Sequence, residues 1–129
     1  MKAWDTNVLI RHLTEDDEAQ TKVARSELEK AQRRDEPIWL SLIVMVETSW
    51  VLGRYGLNKT QTLTVLNTVC QDTRFQIEGG SLLVEAIKRS NKKGDLPEHI
   101  AALAAKATGI KKTQTFDKAV KDFSEFEVL

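Results

Sequence analysis

Four acidic residues lie at or near the ends of predicted strands and could hold a metal ion together. Asp5 directly follows the first predicted strand, and Asp117 comes just after the fourth. Glu47 lies in the helix after the second strand, and Glu98 begins the helix before the fourth. Ligand sites in parallel sheets lie beyond the carboxyl ends of the strands, so these carboxylates can converge on one cleft if the first and fourth strands are neighbours in the sheet. Crowded carboxylates repel one another, and a chain with few His and Cys residues suits Mg²⁺ or Mn²⁺ better than zinc.

Glu47 carries the strongest local signal of these acids. The stretch before it, residues 42–46, is entirely apolar, and no basic residue is close in sequence. An ionised carboxylate in apolar surroundings is costly unless something pairs with it. We therefore expect Glu47 to be embedded in apolar surroundings and paired with the metal. Taken singly, Asp5, Glu98 and Asp117 are more typical of helix caps and first turns, so the metal site rests on their joint placement.

The other reactive or aromatic side chains predict packing rather than chemistry. Cys70 has no intrachain partner and is expected to fill the core. His12 and His99 are not spaced as a ligand pair, and no phosphate-cradling glycine loop is present. Core positions are also expected for the three tryptophans, Trp4, Trp39 and Trp50.

Alternating strands and helices must position the acids. Strands are predicted at residues 2–4, 38–41, 75–78, 113–115 and 126–129. Helices are predicted from Val8, and over residues 15–33, 42–55, 58–70, 81–90 and 97–109. This order predicts an α/β fold in which a parallel sheet is covered by helices on both faces, within a single domain spanning residues 1–129.

Capping residues mark several predicted helix ends. Asn58 or Thr60 is expected to cap the fourth helix and Ser81 the fifth. Pro97 suits a first turn, and Gly109 is expected to be the C-cap of the same helix. In the second helix the expected inner stripe is Ala19, Val23, Ala24, Leu28 and Ala31.

Charge and composition exclude some classes of protein. Basic and acidic residues balance at 19 each, so the chain lacks the strong basic excess of many nucleic-acid-binding proteins. No apolar run reaches the roughly eighteen residues of a membrane span. We expect the N-terminal residues not to act as a signal peptide, because Asp5 comes too early. A cytoplasmic location is therefore expected.

Four segments, in order along nearly the whole chain, resemble the PIN domain and in particular the VapC-type toxins. Residues 5–10 (DTNVLI) are similar to the opening motif of the family, and residues 41–47 (SLIVMVE) to its strand-to-helix segment ending in Glu. Residues 94–98 (GDLPE) resemble the family's G-D-F-A-D, and residues 115–117 (TFD) its T-F-D motif. Each motif alone is weak evidence for the family, whereas four motifs in the family's order and spacing are strong evidence.

The resemblance implies a three-layer α/β/α sandwich with a parallel sheet in the order 3-2-1-4-5. It also implies Mg²⁺- or Mn²⁺-dependent cleavage of single-stranded RNA, a cognate antitoxin and a homodimer. The catalytic and metal-binding acids fall on Asp5, Glu47, Glu98 and Asp117. Polar supporting positions fall on two further residues, Asn7 and Thr115.

The chain departs from the family pattern in one motif. Glu98 stands where the family usually has Asp, and Pro97 replaces a small residue. A Glu reaches one methylene further, which shifts a site that demands tight geometry. Asp95, close to Glu98 in sequence, offers a second carboxylate as support.

A basic cluster directly precedes this motif. It consists of Lys88, Arg89, Lys92 and Lys93. If the chain cleaves RNA, we expect the cluster to lie at the rim of the cleft and to contact phosphates. Without a neighbouring active site, the same residues would be a solvated helix face.

Other functions remain to be separated from a nuclease. A response-regulator receiver domain would need an Asp at the end of the third strand, where this chain has Glu78. A haloacid-dehalogenase-like phosphatase would need a second Asp in the motif that begins at Asp5. A PIN-like module that binds RNA or protein through a weakened or inactive metal site is the main alternative, because Glu98 departs from the family.

Overall fold

Six α-helices and five short strands make up the computed structural model, which describes residues 1–129. The first part of the chain contains β1 (Lys2–Ala3), α1 (Thr6–Thr14), α2 (Glu18–Arg33), β2 (Ile38–Leu40), α3 (Leu42–Arg54), α4 (Lys59–Gln71) and β3 (Phe75–Ile77). The remainder contains α5 (Leu82–Lys92), α6 (Leu96–Ala107), β4 (Thr113–Thr115), a 3₁₀ turn (Lys118–Val120) and β5 (Phe126–Val128). Every predicted strand and helix is present.

The chain divides into two compact units, unit 1 (Met1–Gly80) and unit 2 (Ser81–Leu129). Unit 1 has a three-stranded sheet in the order β1-β2-β3, and unit 2 pairs β4 with β5. Every pairing is parallel. The predicted α/β class with parallel strands is thus confirmed, whereas the order 3-2-1-4-5 over all strands and the single domain stay predictions.

The core of unit 1 lies around the central strand β2. Ile38 and Leu40 of this strand are almost fully buried, and Trp39 between them is half-buried. Helix α1 buries Leu9 and Ile10 next to each other. From α3 and α4 the core receives Val44, Met45, Val46, Thr48, Leu52, Thr62, Leu63, Leu66 and Val69. Burial of these side chains holds the short strands in place.

The core of unit 2 forms where α5 and α6 meet the end of the chain. Helix α5 buries Leu83, Ala86, Ile87 and Ser90, and α6 buries Leu96, His99 and Ala102. Ala102 packs in one cluster with Val120 and Phe126. This packing buries His99, the residue that directly follows Glu98 in the first turn of α6.

Several helix limits differ from the sequence prediction. Glu15 adopts a left-handed conformation (φ 54°) and ends α1, so the next helix begins at Glu18 with Asp17 as its cap. In that helix Val23 is 64% exposed, so its predicted place in the inner stripe is wrong. Ala19, also predicted there, is exposed.

The predicted caps were right in part. Asn58 caps α4 as expected, with its side chain accepting the backbone N–H of Gln61 at 2.8 Å. Ser81 makes no side-chain capping bond, and α5 continues to Lys92, two residues beyond its expected end. Helix α6 ends at Ala107 and has Thr108 as its C-cap, so Gly109 follows the cap instead of forming it. No helix combines the length and the apolar character that crossing a membrane requires.

Candidate active site

Unit 1 brings Glu47 next to the residue that follows Asp5. Asp5 lies two residues after β1 and caps α1, accepting the backbone N–H of Val8 on Oδ1 at 3.2 Å. Thr6, the first residue of α1, donates its hydroxyl to Oε1 of Glu47 at 3.3 Å. The two acids predicted in this unit are therefore linked through Thr6. Sequence reasoning gave Thr6 no role, although it stands inside the opening motif.

The surroundings of Glu47 differ from those predicted. Glu47 is exposed, and so are Ile43 (61%) and Trp50 (53%). Residues three and four apart share one face of a helix, so these three side chains lie together on the outer face of α3. The expected apolar burial of Glu47 and the core position of Trp50 are therefore wrong, because the buried face of α3 is formed by other residues, chiefly Met45 and Thr48.

Unit 2 brings Glu98 and Asp117 together. The pKa of Glu98 is raised, and burial of its carboxyl is the largest cause. A hydrogen bond to Asp117 and the negative charge of that residue raise it further. Oε2 of Glu98 also accepts the backbone N–H of Asp95 at 3.3 Å, which holds the side chain across the first turn of α6. Two carboxyl groups in such contact repel each other when both are ionised.

Asp117 is fixed by bonds on both sides. Its Oδ1 accepts the backbone N–H of Ala119 at 2.8 Å, so it caps the 3₁₀ turn. Its own backbone N–H donates to Oγ1 of Thr115 at 3.0 Å. Thr115, predicted as a supporting residue, thus holds the backbone of Asp117. Asn7, the other predicted support, is exposed on α1.

The predicted acids therefore form two local groups. Asp5 and Glu47 belong to unit 1, and Asp95, Glu98 and Asp117 belong to unit 2. No group of three or more His, Cys, Asp or Glu side chains is arranged so that it could hold a metal ion. The donor set nevertheless fits a hard cation, because all its side-chain donors are oxygens and the Glu98–Asp117 contact is one that a divalent cation would relieve. The joint four-acid site stays a prediction.

A mostly apolar groove lies beside Asp5 in unit 1. Its volume is about 540 Å³, and its lining includes Trp4, Asp5, Asn7, Arg11 and Val23. The exposed Val23 belongs to this groove, which explains why the apolar stripe of α2 is wider than its buried part. Two of the predicted site residues, Asp5 and Asn7, thus border an open apolar surface.

The predicted basic cluster is divided by the structure. Lys88, Lys92 and Lys93 are exposed. Arg89 pairs with Glu85 at 3.0 Å and also with Glu125, and only 20% of its side chain is exposed. Arg89 therefore serves an internal ion pair, and the three lysines are the members of the cluster that face solvent.

His12 and Cys70 lie in surroundings typical of structural residues. His12 packs against the rings of Trp4 and Phe75, with centroids 5.8 and 5.6 Å away. Burial raises the pKa of the Cys70 thiol to about 11, which disfavours the nucleophilic thiolate. The expectation that both residues are structural agrees with these surroundings.

Comparison with known proteins gives one match. A family model described as "PIN domain" matches residues 3–126. The matched segment contains both groups of acids. No curated protein and no solved structure matched the chain.

Proposed function

The chain belongs to the PIN-domain family, and on that premise we propose that it is a metal-dependent endoribonuclease that cleaves single-stranded RNA. PIN domains are generally nucleases, and as a rule they use divalent metals. The observation that carries the proposal is the contact between Glu98 and Asp117 inside the matched segment. A pair of carboxyls that repel each other suits a cation-dependent site better than a purely structural one.

Four acids would hold Mg²⁺ or Mn²⁺: Asp5, Glu47, Glu98 and Asp117. When bound, a divalent cation would stabilise negative charge on the phosphodiester under attack. The protein's own part is to orient the carboxylates. Thr6 holds Glu47 by its hydroxyl, Thr115 holds the backbone of Asp117, and the Asp95 amide holds Glu98. Asn7 and the Asp95 carboxylate are the proposed further polar supports.

The test combines RNA cleavage with metal binding. Wild type, Asp5→Asn and Asp117→Asn are incubated with a pool of single-stranded RNAs in Mg²⁺, in Mn²⁺ and in excess EDTA. We expect metal-dependent cleavage by wild type and almost none by either variant. Asn caps helices as well as Asp does, so Asp5→Asn should keep its fold. Asp122→Asn is the matched control, since it removes an exposed acid of unit 2 outside the proposed site.

Metal titration calorimetry gives a second measure that does not depend on the choice of RNA. Mn²⁺ binding should weaken in Asp5→Asn and in Asp117→Asn, and remain unchanged in Asp122→Asn. If both site variants bind Mn²⁺ as wild type does, the four-acid site is wrong, even if the protein cleaves RNA.

The proposal extends to a toxin that is held in check by an antitoxin and acts as a homodimer. Its support is the resemblance of the motifs to VapC-type toxins. Induced expression in a bacterial host should then arrest growth with wild type but not with Asp5→Asn, and light scattering should give twice the chain mass. Normal growth at equal protein levels would argue against the toxin role and leave the nuclease assay to stand alone.

A binding module is the second candidate, and two observations favour it. Glu98 replaces the family's usual Asp, and the groove beside Asp5 is mainly apolar, which suits a protein segment better than an RNA chain. This candidate predicts binding of RNA or protein without cleavage at any metal concentration. The cleavage assay separates it from the nuclease.

A further inference from the structure

His99, the residue after Glu98, is buried beside the turn that joins α5 to α6. His99 is 1% exposed, and its ring packs edge-on against Phe123 and Phe126, with centroids 4.8 and 5.6 Å away. Its Nε2 lies 2.7 Å from the carbonyl oxygen of Lys93. Because a carbonyl oxygen only accepts, Nε2 carries the proton and donates it. The imidazole therefore ties the first turn of α6 to the end of α5.

The same turn is held from two other directions. The Ser90 hydroxyl donates to the carbonyl oxygen of Gly94 at 3.1 Å. Gly94 has a φ of +87°, and a Cβ built there would lie 2.5 Å from Cγ1 of Val120 and 2.9 Å from Nε2 of His99. Only glycine fits this backbone conformation and this space. The path of the chain from Lys93 to Asp95 is thus fixed by bonds and by close packing.

The position of the Glu98 carboxyl depends on this path. The backbone N–H of Asp95 donates to Oε2 of Glu98, so a shift of the turn would move the donor that holds the carboxyl. His99 follows Glu98 on α6 but is buried in the core, where its ring bonds the Lys93 carbonyl and packs against Phe123 and Phe126. Any effect of His99 on the site must therefore act through the turn.

We propose that His99 is a positioning residue that sets the direction of Glu98 by clamping the Lys93–Asp95 turn through its Nε2–H bond. The expected effect of His99 on metal binding rests on the proposed metal site. The clamp, by which the Nε2–H bond of His99 holds the Lys93–Asp95 turn, does not depend on that site. Groups that orient metal-binding side chains without touching the metal commonly change its affinity about tenfold or more when they are removed. His99 would do so from beside the turn.

Two substitutions separate the hydrogen bond from ring packing. His99→Gln keeps an N–H donor at about the same reach, whereas His99→Leu removes the donor and leaves the Lys93 carbonyl without its partner. Leu83→Ala is the matched control, because it destabilises the core of unit 2 at the far end of α5. Should His99→Leu fail to fold, Ser90→Ala loosens the same turn from its other side.

The backbone amide of Asp95 reports the clamp directly. Its ¹H–¹⁵N chemical shift is measured in each metal-free variant, and Glu98→Ala gives the shift without the carboxyl acceptor. We expect the amide of His99→Leu to move more than half of the way toward that reference. It should remain near its wild-type position in His99→Gln and Leu83→Ala. Ser90→Ala should move it in the same direction as His99→Leu, by a smaller amount.

Mn²⁺ affinity reports the consequence for the site. His99→Leu should weaken Mn²⁺ binding about tenfold, while His99→Gln and Leu83→Ala should change it less than twofold. If the Asp95 amide keeps its wild-type chemical shift in His99→Leu, the inference is wrong, whatever happens to Tm. It is also wrong if His99→Gln loses as much Mn²⁺ affinity as His99→Leu. If wild type binds no Mn²⁺, the proposed metal site fails, and the amide shifts still decide the clamp.

Discussion

At the residue scale, the Glu98 side chain decides between an enzyme and a binding module. Its carboxyl contacts Asp117 and accepts the Asp95 N–H, so the extra methylene does not leave it in solvent. A carboxylate that acts on Mg²⁺ through water tolerates such a difference in length better than one that binds directly. The contacts of Glu98 therefore favour a working substitute for Asp.

This view predicts the activity of two Glu98 variants. Glu98→Asp should cleave RNA as fast as wild type or faster, because the shorter acid matches the family's usual residue. Glu98→Gln should be nearly inactive, because it loses the charge while keeping the size. Initial cleavage rates at saturating Mg²⁺ measure both. Cleavage by Glu98→Asp alone, with an inactive wild type, would mean that the substitution has disabled the enzyme.

The pairing of Glu98 with Asp117 could be predicted from the sequence better than the surroundings of the predicted acids. The motif positions led to Glu98 and Asp117, and the structure places them in contact. The burial of Glu47 was wrong because a run of apolar residues does not reveal which face of its helix packs inward. Ile43 and Trp50, at helical spacing from Glu47, are the apolar residues that remain outside.

At the element scale, the glycine in the α5–α6 turn has much less space around it than a second glycine with similar backbone angles. Gly94 and Gly109 have similar backbone angles, φ +87° and +90°, but a Cβ at Gly109 would meet nothing within 4 Å. Ala at either position costs about 1–2 kcal/mol for the left-handed backbone. Gly94→Ala adds overpacking against Val120 and His99, worth about 1–3 kcal/mol more.

Gly94→Ala should therefore destabilise the protein about twice as much as Gly109→Ala. Urea unfolding of both variants measures the difference, since each changes only one methyl group. Equal losses would show that the turn can move away from Val120 at no cost, which would also weaken the clamp assigned to His99.

Another element-scale feature is an ion pair that joins α5 to the segment before β5. Glu125 is almost fully buried and pairs with Arg89, and Lys106 of α6 approaches it at 3.3 Å. The Arg89 guanidinium is the main cause that lowers the pKa of Glu125 from 4.5 to about 2. Removing one partner of a buried pair costs about 3 kcal/mol, because the other charge stays buried.

This pair predicts how stability depends on pH. The lowered pKa contributes stability that is complete above about pH 4.5 and is lost as the pH falls toward 2. At pH 7, Glu125→Gln should lower the free energy of unfolding by about 3 kcal/mol. Its deficit relative to wild type should shrink steadily below pH 4.5. Glu127→Gln, at an exposed position nearby, is the control and should follow wild type throughout.

Hydropathy patterns predicted the elements but not the contacts between distant parts of the chain. Local patterns of apolar and polar residues located all the strands and helices, since such patterns depend only on neighbouring residues. Arg89 with Glu125, and the Glu78 carboxylate that accepts the Leu42 N–H at 2.8 Å, pair residues 36 apart in sequence. Nothing in the neighbouring sequence marks such pairs. The basic cluster is therefore divided by an ion pair, between Arg89 and Glu125, that the neighbouring sequence does not indicate.

At the scale of the whole molecule, zero net charge hides a difference between the two units. Unit 1 carries ten basic and twelve acidic residues, whereas unit 2 carries nine and seven. The modest excess of positive charge thus lies in the unit that contains Glu98 and Asp117. An RNA backbone is attracted by local positive charge, and the net value matters less. The exposed lysines of unit 2 are accordingly the ones to test.

We expect the salt-dependent part of RNA binding to come from phosphate contacts of Lys88, Lys92 and Lys93. Each phosphate contact to single-stranded RNA adds about 0.7 to the slope of log K against log salt. Replacing all three lysines with Ala should then weaken binding and lower the slope by about 2. The Asp5→Asn background prevents cleavage during the titration. A triple Ala variant at Lys2, Lys22 and Lys30 of unit 1 removes the same charge and should leave the slope almost unchanged. If both triple variants lower the slope equally, RNA responds to overall charge. If the variant at Lys88, Lys92 and Lys93 leaves the slope unchanged, these lysines are ordinary solvated surface.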